Sequence, residues 1–158
     1  MNFNEEFVIG KNGIGWMSST FTTAFKDAQF VSVFTPTYQK LPRSMNDAAI
    51  ESELKPGICT LGDVVAFLDN ARDECKDGLA NLFYFPSFVV DVGWHGSDWD
   101  VRAWDRGGGD WDSGDRVFSP ATVKPSSAVS SGSSPLTLES LADRVERLEK
   151  IINPELLK

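Results

Sequence analysis

Apolar and polar residues along this chain change their period several times, and each change marks an element. Residues 6–9 (Glu-Phe-Val-Ile) read as a strand, 10–13 as a turn and 14–17 (Ile-Gly-Trp-Met) as a return strand. Phe21 and Phe25, with Ala24 and Ala28, fit one helical face, while Phe30-Val-Ser-Val-Phe34 alternates like a strand. Residues 44–55 read as a helix with Ser44 as cap and Asp47 near its third position, stopped by Pro56-Gly57. A second helix is expected over residues 61–76. Thr60 is its cap, Asp63 lies in its first turn, Leu61, Val64, Val65, Leu68 and Cys75 share its inner face, and Gly78 suits the left-handed position after it.

From Asn81 onward the period is that of strands. Residues 82–85 and 87–92 form two apolar runs separated by Pro86. Residues 99–104 alternate, placing Trp99, Val101 and Ala103 on one face, and residues 111–118 close an antiparallel meander. The expected body is α+β: a small antiparallel sheet, the C-terminal meander, packed with two central helices. It spans residues 1–118, followed by a linker at 119–135, a coiled-coil helix at 136–153 and a tail at 154–158. The linker assignment rests on composition, since seven of those 17 residues are Ser and three are Pro.

The clearest period lies last. Leu138, Leu141, Val145, Leu148 and Ile152 are spaced 3, 4, 3, 4, with Leu138, Val145 and Ile152 at a and Leu141 and Leu148 at d of a heptad. Thr137 caps this helix, Leu136 and Leu141 occupy the staple positions, and Pro154 ends it. Arg144 at g and Glu149 at e of the next heptad can pair between parallel chains. An amphipathic helix folded back on its own body has the same period. Burying five a/d side chains does not offset the ordering of about fifteen residues, so the coil needs help from a body interface or a host particle.

Charge and composition narrow the function. Residues 1–118 hold 18 of the 23 acids and 10 of the 15 Lys and Arg residues, within a net charge of −8. An acidic body lacks the clustered cations that a phosphate backbone requires, so no nucleic-acid partner is expected. No apolar run is long enough to span a bilayer and the first residues form no basic leader, so neither membrane nor secretion is expected. Cys59 and Cys75, flanking one predicted helix of about 24 Å, read as reduced thiols in a protein made in a cytosol.

Candidate chemistry concentrates in residues 94–115, where Asp-Trp-Asp occurs at 98–100 and again at 110–112 beside turns. Trp94, Trp99, Trp104 and Trp111, with Asp98, Asp100, Asp110 and Asp112, are the candidate partner-binding residues. Exposed aromatic anchors among charges suit protein contact; flat indoles beside carboxylates also suit a glycan. Asp110, Asp112 and Asp115 miss the spacing of a calcium loop, so no metal is expected. His95 is the sole histidine, which removes His-based acid–base pairs and multi-His metal sites within one chain. Cys75 falls on a buried helix face, and Asp98 and Asp110 sit in short turns without a cleft. A non-enzymatic protein without cofactor is the expectation.

Residues Arg144-Val145-Glu146-Arg147-Leu148-Glu149 resemble the Arg–apolar–x–x–apolar–Glu signature of parallel three-stranded coiled coils. Val and Ile at a with Leu at d favour two strands instead, so a homotrimer is expected with a dimer as the alternative. The whole layout, a small body, a Ser/Pro tether and a short trimeric coil, resembles accessory proteins of bacteriophage particles: head, tail, decoration or fibre-attachment components. That resemblance implies self-association, other structural proteins of an assembly as partners, and a place in the virion. Two other readings stand beside it. One is an acidic inhibitor or adaptor on a basic host-protein surface, and the other a glycan-binding attachment module.

Overall fold

The computed structural model describes residues 1–121, and the chain divides into Met1–Ala121 and Thr122–Lys158. The heptad residues Leu138, Leu141, Arg144, Val145, Leu148, Glu149 and Ile152 lie outside the described residues. The body has mixed α/β content. Its helices are α1 (Phe3–Glu6), α2 (Ser19–Phe25), α3 (Asp47–Glu53) and α4 (Leu61–Asp69). Its strands are β1 (Ile14–Met17), β2 (Thr37–Lys40), β3 (Met45–Asn46), β4 (Asn81–Tyr84), β5 (Phe88–Trp94), β6 (Trp99–Asp105), β7 (Asp110–Trp111) and β8 (Arg116–Ser119).

Six strands form one mixed sheet in the order β1-β6-β5-β4-β8-β2, and β3 and β7 form a separate two-stranded piece. The antiparallel run β4-β5-β6 matches the expected meander. The expected closing strand does not: β8 crosses to the far side of β4, pairs parallel with it, and then pairs antiparallel with β2. The sheet is therefore larger and more mixed than a small antiparallel meander. The cause lies in the pleat. Phe118 and Val117 are both buried, on opposite faces, and a strand buried on both faces belongs inside a sheet, not at its rim.

The two central helices lie on opposite faces of that sheet. Val64, Val65, Phe67 and Leu68 of α4 join Phe83, Val90, Val101 and Phe118, together with Phe3 of α1 and Phe21 of α2. Ile50 of α3 joins Leu82, Tyr84, Val89 and Val117 on the other side. Strand β4 is thus covered on both faces, and every residue of it is buried.

Local signals explain the other departures. Residues 6–9 are not a strand: Asn2 caps Asn4 with its side chain, and Phe3 and Phe7 stack one helical turn apart at 5.0 Å. Helix α3 starts at the cap residue Asn46, whose side chain accepts from Ala49 N–H, not at Ser44. Helix α4 opens as expected, with the Asp63 carboxylate accepting from Thr60 N–H at 2.7 Å. It ends at Asp69 instead of running to Lys76, because Asn70 leaves the helical region and its side chain donates to the Ala66 carbonyl. Cys75 is buried as expected, on a separate short turn; both cysteines are free thiols.

Asp47 ties α3 to the loop before β7. Its Oδ1 accepts from the Tyr84 hydroxyl and from Trp111 Nε1–H, each at 2.7 Å. Its Oδ2 accepts from Gly107 and Gly109 N–H at 2.8 and 2.9 Å. Arg106 closes the loop, bridging Glu51 and the Phe85 carbonyl.

Candidate partner-binding face

Strand β6 sorts its side chains by parity. Trp99, Val101 and Ala103 point into the α4 core, as the alternation predicts. Asp100, Arg102 and Trp104 therefore share the opposite face. That is the face α3 covers, but α3 lies over β4, and its apolar cluster ends with Val89 of β5. Beyond Val89 the same face carries Asp91 and Gly93 from β5, the Asp100 row from β6, and Trp16 from β1, which pairs with Asp100. A side-chain carbon placed on Gly93 would meet nothing within 4 Å.

A bulge puts Trp16 on this face. The β1–β6 register shifts between Ile14 and Trp16, so Ile14 is buried while Trp16, two residues on, is 47% exposed. Trp104 is 48% exposed at the other end of the row. Between them Arg102 donates to Asp100 at 3.2 Å, and its guanidinium lies 5.6 Å from the Trp16 ring. His95 Nε2 lies 3.4 Å from the same Asp100 carboxylate.

Asp91 sits at the margin between the covered and open halves. It is only 8% exposed, and its Oδ1 has no hydrogen-bond partner among the described residues. Burial pushes its carboxyl up to about 6; Asp115 and Asp100 add to the rise, while Arg102 and Trp104 oppose it. The open face thus offers two indole surfaces and a partnered Arg–Asp pair, with the largely buried Asp91 carboxyl at its margin.

The eight candidate residues do not form one patch. Trp104 and Asp100 lie on the open face. Trp94 and Trp99 pack edge-to-face at 4.9 Å on the opposite face, where Trp99 is buried and Lys76 lies over the Trp94 ring. Asp98 packs over β1, where its carboxyl carbon is 2.2 Å from where a side chain on Gly15 would begin, so a larger residue there would have to displace the carboxylate. Trp111 is held by Asp47, with Asp110 and Asp112 exposed beside it. The repeated Asp-Trp-Asp therefore starts two strands whose indoles turn inward.

Sequence reasoning passed over Trp16, Arg102 and Asp91. For Arg102 the signal was present, since the assignment of Trp99, Val101 and Ala103 to one face puts Asp100, Arg102 and Trp104 on the other. For Trp16 it was misleading, because strict alternation puts it with the buried Ile14.

A second concavity lies beside β2 and the end of α4. It is a cleft of about 360 Å³, lined by Tyr38, Phe67, Asn70, Arg72, Cys75 and Phe118, among others. The Tyr38 hydroxyl donates to Glu74 at 2.7 Å, and Arg116 lies beneath the Tyr38 ring with both Asp77 oxygens as acceptors. Burial raises the Cys75 thiol and pushes Cys59 up to about 12, so neither is poised as a thiolate nucleophile. Among the described residues no three His, Cys, Asp or Glu side chains are grouped as metal ligands, and no helix is long and apolar enough to cross a membrane. No family model, curated protein or solved structure matches this chain.

Proposed function

We propose that this chain is a non-enzymatic assembly protein of the kind that serves as an accessory or attachment component of bacteriophage particles. Its C-terminal heptads gather copies, as a trimer or alternatively a dimer, and its body presents the Trp16–Arg102–Trp104 face to another protein of the assembly. The observation that carries this reading is the uncovered half of the sheet. Two half-exposed indoles flank an Arg–Asp pair on a rigid strand, which is the composition of an interface anchor.

Charge placement favours this reading over that of an acidic mimic. A mimic needs its acids in one bare stripe. Here Asp100, Glu51, Glu53 and Asp77 each hold an arginine, and that interleaving suits a scaffold. The glycan reading keeps one specific support, the exposed pair Trp16 and Trp104 near the Asp91 and Asp100 carboxyls.

The test of the assembly reading is the solution mass of the full chain against that of Val145→Asp, by light scattering. A charge at a central a position removes the seam. An oligomeric full chain and a monomeric variant are expected. If Val145→Asp keeps the mass of the parent, the heptads do not gather the copies.

A further inference from the structure

We infer that the strand-like segment at residues 31–35, with Ile58 beside it, is the surface through which one body meets a second copy of this chain. Phe30-Val-Ser-Val-Phe34 has the β-branched and aromatic alternation of a strand, and the sequence reading assigns it as one. In the structure it belongs to no sheet among the described residues. The β2–β8 ladder ends at Thr37 and Ser119, and continuing that register sets Pro36 opposite Pro120. The ladder stops there. Beyond it, among the described residues, none of the N–H groups from Val31 to Thr35 donates to a backbone carbonyl.

The segment is held in place while remaining open. Phe30 N–H donates to the Met1 carbonyl, and the Phe30 ring packs 6.1 Å from Phe7. The Val31 carbonyl crosses the first turn of α4 so closely that a side chain on Gly62 would begin 2.2 Å from it. Outward, Val31 is 71% and Phe34 69% exposed. Ser32, Val33 and Phe34 line a hollow of about 610 Å³ with Ala121. Gly57 abuts Pro120 and bonds Ser119, which brings the exposed Ile58 to the same edge. An apolar segment anchored at Phe30 and Val31, with no backbone partner among the described residues, is a template for strand addition.

A second copy is the occupant that charge and connectivity select, and this step rests in part on the assembly reading above. The body is acidic, so two bodies repel over most of their surface. Residues 29–37 carry no charge and form a stretch where like bodies can approach. Ala121 lies on this edge, and the chain continues from it into the segment with the heptads. Copies gathered by that segment meet at a high effective concentration. Two heptads alone do not repay their ordering, and a body contact at this edge makes up the difference.

The test follows mass against concentration for the full chain by sedimentation velocity, with Phe34→Asp, Val31→Asp and Val145→Asp beside the parent. Positions 31 and 34 are exposed, and an unchanged unfolding midpoint verifies that each variant folds. Phe34→Asp and Val31→Asp are expected to raise the dissociation midpoint about tenfold or more. If both dissociate like the parent while Val145→Asp is monomeric, the inference fails and the heptad reading stands. If the aspartates at 31 and 34 dissociate the oligomer and Val145→Asp does not, the inference stands and the heptad reading fails. A parent monomeric at every concentration overturns both. Amide protection of residues 31–35 in that monomer would place the chain's own C-terminal part, not a second copy, on the segment.

Discussion

Two halves of one sheet face are built from similar residues and finished differently. Over β4 and β8, Leu82, Tyr84 and Val117 lie under α3, and the buried carboxylate Asp47 receives four hydrogen bonds. Over β5, β6 and β1, Trp16, Arg102 and Trp104 face no helix among the described residues, and the buried carboxyl at the margin, Asp91, keeps an oxygen without a partner among them. Apolar content does not separate the halves, since the open one carries two indoles. Polar satisfaction does. The covered half meets its polar needs internally and is organised for stability. The open half leaves aromatic surface and charge for something outside the chain.

The strongest way to break that contrast is to open the covered half. Asp47→Ala strands the Tyr84 hydroxyl, the Trp111 indole N–H and two loop amides in a buried site. A loss of about 3–5 kcal/mol of unfolding free energy is expected, read by urea denaturation. Asp47→Asn keeps one acceptor and should lose less. A cost for the alanine variant below about 1 kcal/mol would mean that the loop at 106–110 is held by something other than this carboxylate.

Much of this fold is legible in the sequence wherever one local signal dominates. The Thr60–Asp63 cap, the β4-β5-β6 run and the inward face of β6 follow from capping and alternation. The misses share a physical cause, a non-local partner outweighing a local pattern. Residues 30–34 have the alternation of a strand, yet Phe30 N–H bonds the Met1 carbonyl, the Val31 carbonyl packs on α4, and they join no sheet among the described residues. Residues 111–118 look like the next strand of a meander, yet Arg116 N–H donates to the Ala80 carbonyl and β8 joins β4. The site was half legible for the same reason. Asp100 and Trp104 follow from the parity of β6, while Trp16 depends on a bulge that no spacing announces.

Asp91 gives a smaller effect with a definite sign. Its folded carboxyl titrates near 6, above its ordinary 3.8. The folded state therefore holds the proton more tightly than the unfolded chain between those values. Its contribution is full below the unfolded value and is lost as pH rises through about 6. Asp91→Asn removes the buried charge. At pH 8 the variant should exceed the parent by up to about 3 kcal/mol; near pH 4 the two should converge. Equal stability at both values would mean that Asp91 is well solvated in the native state and does not mark the border between the halves.

The smallest stability effect belongs to the open half itself. Replacing Trp16 and Trp104 by alanine removes surface that is already half in water, so the double variant should lose less than about 2 kcal/mol. It should nevertheless remove most of the tryptophan fluorescence that iodide can quench, because Trp99 is buried and Trp94 and Trp111 are partly so. A large loss of stability, or an unchanged quenchable fraction, would make the two indoles part of the core and end the case for a binding face. The same variant separates the partner classes. A neutral oligosaccharide that saturably shifts the emission of the parent but not of the double variant would turn the reading toward glycan attachment. Without such a shift, the pair keeps the properties of a protein anchor: large, fixed, half exposed and nearly irrelevant to the stability of the body that carries it.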